Sequence, residues 1–210
     1  IASKNKPVFI ATGASDISEV NMAMELLLKQ TDDVVLMQCN TNYTASLENF
    51  KFINLNVLKE YNRKYPNIIL GLSDHTPGHA TVLGAVAIGA RVIEKHFTND
   101  TQREGPDHKF SMDFNSWLEM VIRTRELESA LGESRKKVEL NEMETIVLQR
   151  RSIRSKKDLM IGSLINENDL EFLRPCPKDA LPPYELENIL GKEIKGIIKS
   201  GDCIEWKHLK

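Results

Sequence analysis

Long apolar runs are missing from this chain. No stretch approaches the ~18 residues a membrane-spanning helix needs, so no membrane partner is expected. Cysteine is scarce: Cys39, Cys176 and Cys203 are odd in number and widely spaced. That excludes a disulfide framework or a spaced zinc motif and makes a reducing, cytoplasmic setting the expectation. Charge of one sign is not in excess either, with 28 basic against 30 acidic side chains and a net charge of −2. Nothing electrostatic therefore favours nucleic acid or an anionic membrane surface. No glycine-rich fingerprint follows the first apolar run, because Thr12-Gly13-Ala14-Ser15 is too short for one, and a dinucleotide fold is disfavoured. The first residue is Ile1 rather than methionine, with no signal-like segment after it, so translation is expected to begin upstream.

What is present is the composition of a globular protein: 210 residues, 41% hydrophobic and 28% charged. Short apolar runs alternate with helical patterns as far as about residue 131. The runs are Pro7–Ala11, Val34–Met37, Ile68–Leu72 and Arg91–Phe97. A capping box, Asp16 with Glu19, opens a helix whose Ile17, Val20, Met24, Leu27 and Leu28 share one face. The spacing predicts a second helix with Leu47, Phe50, Val57, Leu58 and Tyr61 inward, and a short one over His79–Ile88. A last helix over Phe114–Leu131 is predicted to be striped by Trp117, Val121, Thr124, Leu127 and Leu131. Alternating strands and helices imply a parallel sheet, either an open doubly wound one or half of a (β/α)8 barrel. The predicted domains are 1–131, a charged amphipathic linker over 132–149, and a small, mostly β domain over 150–210 marked by closely spaced Gly and Pro turns. At about 60 residues that domain is near the lower limit for independent folding.

Polar residues follow each apolar run directly: Thr12, then Thr41 and Tyr43, then Ser73, Asp74 and His75, then Glu94 and His96. Strand C-termini carry the active site in parallel α/β folds, so four such placements point to one site. His75 and His96 close neighbouring strands about 4.8 Å apart, near enough for two imidazoles to share a cation. Imidazole suits zinc, manganese or iron, and nearby Asp74, Glu94 and Asp107 favour a harder divalent ion. Either histidine alone reads as a loop cap or a satisfied half-buried side chain; the pair reads as ligands. Gly105-Pro106-Asp107-His108-Lys109 is a turn expected to present Asp107 and His108 to the same rim, or simply a solvated surface turn. Thr12, Thr41 and Ser73 suit phosphate or carboxylate oxygens, or cap the following helices. Lys95 alternates with its neighbours and should point away from them, in a structural role.

Gly71-Leu72-Ser73-Asp74-His75-Thr76, Ile93-Glu94-Lys95-His96-Phe97-Thr98 and Gly105-Pro106-Asp107-His108 together resemble the sialic acid synthase family. That family includes N-acetylneuraminate, legionaminate and pseudaminate synthases and SpsE-type spore-coat polysaccharide proteins. Residues 150–210 resemble its SAF (antifreeze-like) domain through Arg151-Ser152-Ile153, Leu173-Arg174-Pro175 and Ile189-Leu190-Gly191-Lys192. The resemblance implies a (β/α)8 barrel that condenses phosphoenolpyruvate with the open-chain aldehyde of an N-acylated amino sugar, giving a nine-carbon 2-keto acid and phosphate. It implies a divalent cofactor, Mn2+ or Mg2+, on His75 and His96, with Glu94 beside the reacting carbons. Ser73 becomes a phosphoenolpyruvate contact, Tyr43 and Asp107 sugar-side contacts, and Thr12 and Thr41 further substrate-binding positions. Arg174 matches an arginine that the SAF domain lends to the partner subunit in a domain-swapped homodimer.

The sequence departs from the family at Thr44, where proline is usual, and at Thr41, where Asn or Ser is common. By the resemblance it begins just before the fifth strand, so it is expected to be part of a longer enzyme and inactive by itself. Two other classes stand beside this reading: a different metal-dependent barrel aldolase or lyase, and a non-catalytic protein whose SAF domain is a binding module.

Overall fold

The structure, a computed structural model, describes residues 1–210 and divides into two compact units, residues 1–133 and 134–210. The first holds β1 (Val8–Ala11), α1 (Ile17–Leu28), β2 (Val34–Cys39), α2 (Val57–Lys64), β3 (Ile69–Asp74), α3 (Ala80–Ile88), β4 (Val92–Lys95) and α4 (Phe114–Leu131). The strands form one parallel sheet in the order β1-β2-β3-β4. That order decides between the two architectures, since a doubly wound sheet must reverse direction at a switch point.

The helices confirm this. Val20 and Met24 of α1, Leu58 and Tyr61 of α2 and Ala85 of α3 join Val34, Leu36, Leu70 and Leu72 in a single core on one face of the sheet. Helices on one face only and strands in sequential order make an arc of a β/α barrel, with the other face turned to the interior. On that inner face Gly71 is confined. A Cβ there would lie 2.8 Å from Met37 Cγ and 2.9 Å from the Val92 carbonyl oxygen. No helix is long and apolar enough to cross a membrane.

The Asp16 capping box forms as the sequence predicts, its side chain accepting from Ser18 and Glu19 amides while Glu19 reaches back to the Asp16 amide. Two helical predictions need correction. The segment read as one helix from Leu47 is two, a 3-10 helix over Leu47–Phe52 and then α2, separated by Asn54 in the left-handed region (φ 50). In consequence Leu47 is exposed, and Asn49 is the buried residue. On α4, the buried position is Met120, packed near Trp117, Val82 and Met112, whereas Val121 and Leu131 are exposed.

The second unit contains α5 (Met143–Gln149) and an antiparallel pair, β5 (Ser152–Ser155) with β6 (Leu170–Leu173). Its core is rich in isoleucine: Ile153, Ile165, Ile189, Ile194, Ile198 and Ile204 are all buried, with Leu159, Leu170, Leu181 and Leu209. Two of the three motifs read from the sequence, Arg151-Ser152-Ile153 and Leu173-Arg174-Pro175, meet here. Ser152 pairs with Leu173, and the Ser152 hydroxyl donates to the Pro175 carbonyl at 2.8 Å. Arg154 donates to the same carbonyl at 3.2 Å, so two side chains of β5 fasten the bend on which Arg174 is exposed.

A candidate active site at the strand ends

The registry of β3 against β4 builds the site. Ser73 lies opposite Glu94 and Asp74 opposite Lys95, after which His75 and His96 continue the two strands. Because side chains alternate across a strand, Ser73, Glu94 and the two histidines share the inner face. The Ser73 hydroxyl donates to Glu94 Oε1 at 2.7 Å. The two imidazole centroids are 5.1 Å apart, with their planes at 62°.

His75 is buried, and its Nδ1 lies 2.9 Å from the Asn40 carbonyl oxygen. A carbonyl only accepts, so Nδ1 carries the proton and Nε2 keeps its lone pair. Burial pushes the His75 imidazole below its ordinary value; the Asn40 carbonyl opposes this, nearby His96 adds to it, and Asp74 and Glu94 oppose it. Burial thus favours the neutral ring. His96 is half-buried, with Nδ1 3.6 Å from Asp107 Oδ2.

Two aromatic rings complete the cluster. Tyr43 stands edge-on to His75 at 4.4 Å and lies 5.7 Å from His96. Phe110 is buried and lies 5.0 Å from His96. Sequence reasoning missed Phe110. Its signal was an isolated large apolar residue in an otherwise polar loop, and the loop closes on it. Met112 donates its amide to the His96 carbonyl at 2.9 Å, and Thr98 donates its own to Met112 at 2.9 Å. Cys39 was missed as well; it is a buried thiol at the end of β2, opposite Ser73, with its pKa pushed up by burial.

Several expected residues are placed differently from their sequence reading. Asp74 faces away from the histidines: its carboxylate accepts from Lys95, Thr76 and Thr81, so it is not a carboxylate for an ion beside His75. His108 turns to Thr98, with Nδ1 2.7 Å from Thr98 Oγ1, while Asp107 alone approaches His96. Alternation along the strand explains the first, and the tight turn at Gly105 (φ 149), whose Cβ would collide with the His108 ring, the second. Thr12 is buried and its hydroxyl donates to the Met37 carbonyl while accepting from Tyr61, tying β1 to β2 and α2. Thr41 is exposed, its methyl lying over Gly13. Lys95 points outward, as the alternation requires.

The donor set can be tested against a cation. Two imidazole nitrogens each about 2.1 Å from one ion, at angles of roughly 90–110°, place the ring centres roughly 4.5–5.2 Å apart. The observed 5.1 Å fits, as does the free Nε2 of His75. No group of three or more His, Cys, Asp or Glu side chains is arranged to hold an ion unaided.

The chain is similar to known proteins over its whole length. Over its whole length the chain is 36% identical to an N,N'-diacetyllegionaminic acid synthase of Legionella pneumophila, of which it covers 58%. It is 34% identical to a pseudaminic acid synthase of Campylobacter jejuni, covering 98% of this chain and 58% of that protein. The chain therefore spans about 58% of the length of these curated relatives. Among solved structures it resembles the spore coat polysaccharide biosynthesis protein SpsE of Bacillus subtilis, with a TM-score of 0.56 and 28% identity, over all of this chain and 62% of that one. The SAF domain profile matches residues 150–210 and the NeuB family profile residues 1–136. This chain belongs to the NeuB family.

Proposed function

We propose that the protein containing this chain condenses phosphoenolpyruvate with the open-chain aldehyde of an N-acylated amino sugar, giving a nine-carbon 2-keto acid and phosphate. The observation that carries this reading is the pair of imidazoles 5.1 Å apart at the strand ends, with Glu94 one step below them. The relatives' names, legionaminic and pseudaminic acid synthases, support the substrate class.

In the reaction the terminal methylene carbon of phosphoenolpyruvate attacks the aldehyde carbon, and the aldehyde oxygen takes up a proton that water supplies. The oxygen of that water adds at the neighbouring phosphate-bearing carbon, whose C–O bond to phosphate then breaks to leave the keto group. His75 and His96 would hold a divalent ion, Mn2+ or Mg2+, which when bound supplies Lewis-acid polarisation of the aldehyde. Glu94 faces the carbon at which positive charge develops. There its carboxylate stabilises that charge and orients the incoming water. Ser73 fixes Oε1 by its 2.7 Å hydrogen bond and leaves Oε2 for the reacting centre. Asp107 and Tyr43, at the open rim, are placed to bind sugar hydroxyls. Thr12 keeps the ends of β1 and β2 together beside the substrate, and Thr41 offers a hydroxyl on the same rim. Arg174, on its fastened bend, acts in the partner subunit's site of a domain-swapped homodimer. A planar guanidinium there binds polar groups of the sugar and excludes water.

The test uses the full-length protein with phosphoenolpyruvate, Mn2+ and N-acetylmannosamine or a diacylated amino sugar. Phosphate release together with a mass-identified 2-keto acid is expected. Phosphate release without carbon–carbon bond formation, or neither, would sink the reading.

A further inference from the structure

We propose that Lys95, acting with Asp74, is a positioning residue that sets the spacing of His75 and His96; this deepens the proposed function and rests on it. The two residues are direct partners across β3 and β4, one step from each histidine in sequence. Their side chains are 1% and 0% exposed, and Lys95 Nζ donates to Asp74 Oδ2 at 2.6 Å. The same ammonium donates to the Thr76 carbonyl at 2.6 Å. Lys95 therefore grips the residue before His75 and the residue after it, while itself preceding His96.

The rest of the Asp74 carboxylate is held by Thr81 of α3 and by Thr76 in the loop that leads to it. Thr81 at the start of α3 donates to Oδ2 at 2.6 Å, and the Thr76 hydroxyl and amide donate to the carboxylate as well. A buried ion pair of this kind adds little net stability compared with well-packed apolar side chains, because desolvation offsets the attraction. What it specifies is registry. A slip of one residue between β3 and β4 would turn His75 or His96 to the outer face and bring a charge inward without its partner. The pair sits where such a slip would damage the imidazole spacing most.

The experiment compares wild type with the Lys95→Met, Asp74→Asn double variant of the full-length protein, which removes both charges together. Three quantities are read: melting temperature, Mn2+ affinity by calorimetry, and the histidine tautomers of the metal-free protein by 15N NMR. The expected result is a folded variant melting within about 5 °C of wild type, with Mn2+ affinity at least tenfold weaker and the Nδ1–H signal of His75 lost. Unchanged affinity and tautomer in a folded variant overturn the proposal. Should the double variant not fold, Lys95→Gln with Asp74→Asn, which keeps hydrogen-bonding groups and leaves no charge buried alone, decides. An Mn2+ affinity at least threefold weaker upholds the role, and an unchanged one overturns it. Failure of wild type itself to bind Mn2+ would sink the metal-assisted function instead. The tautomer would then judge the positioning role alone, its loss in the variant upholding it and its retention overturning it.

Discussion

The Asn40 carbonyl stands 2.9 Å from Nδ1 of His75, joining the residue just past β2 to the residue just past β3. One hydrogen bond thus orients the ring, selects its tautomer and directs the lone pair of Nε2. Outer-sphere bonds of this kind commonly tune affinity for an ion by about 10–100-fold.

Removing either imidazole should therefore abolish tight ion binding. In His75→Ala and in His96→Ala, Mn2+ affinity is expected to fall at least 100-fold by calorimetry. Binding that survives in both variants would place the ion elsewhere.

Glu94 is predicted to act on the reacting carbons rather than on substrate affinity. Glu94→Gln should lower kcat by about 10²–10³ with little change in KM, the range seen when a charge-stabilising group is lost. Ser73→Ala, which frees Oε1, should cost about 10–100-fold, since a single hydrogen bond to a charged group contributes about 1.5–3 kcal/mol. Steady-state kinetics on the full-length protein separates the two.

The proposed exchange of domains between subunits makes a distinctive prediction. Arg174→Ala and Glu94→Gln homodimers should each be nearly inactive, whereas mixed dimers should regain activity at the one site that is intact. Co-expression with two affinity tags isolates the mixed species. No recovery would mean that Arg174 serves its own subunit or none.

Gly71→Ala tests the inner face of the sheet. The added methyl meets Met37 and the backbone of Val92. Overpacking of that kind typically costs about 1–3 kcal/mol, so the melting temperature should fall while Gly84→Ala, whose neighbour is the flexible end of Leu55, should be milder.

Asp113 caps α4, immediately after the loop that carries Asp107 and Phe110. The Ser116 hydroxyl and amide hold its carboxyl below the ordinary value of 3.8. With the folded pKa depressed, its contribution is present above pH 3.8 and is lost as pH falls through the folded value. Asn caps without titrating. The melting temperature of wild type relative to Asp113→Asn should accordingly be higher at pH 6 than at pH 3, and a pH-independent difference would remove the carboxylate from that role.

Much of this was legible in the chain by itself. Continuous apolar runs marked the four strands, because strands covered on both faces need no polar alternation. Asp16 with Glu19, and the ends of α4 at Phe114 and Leu131, were readable because caps and turns are local chemistry. The succession of polar residues after each run pointed to the candidate site for the same reason. Two motifs in the small domain could be recognised before their pairing through Ser152 and Pro175 was known.

Packing decided the rest. Strand order chose the barrel arc over the doubly wound sheet, and no local pattern encodes which strands become neighbours. Leu47 and Val121 have helical spacing yet lie exposed, since periodicity predicts a face but not which neighbours will cover it. Asp74 reads as a carboxylate near an ion on His75, and only the registry against Lys95 sends its side chain to the outer face. Phe110 and the Asn40 carbonyl joined the site through contacts between residues distant in sequence. Composition and periodicity are properties of the chain, whereas the distance between two imidazoles is a property of the sheet that holds them.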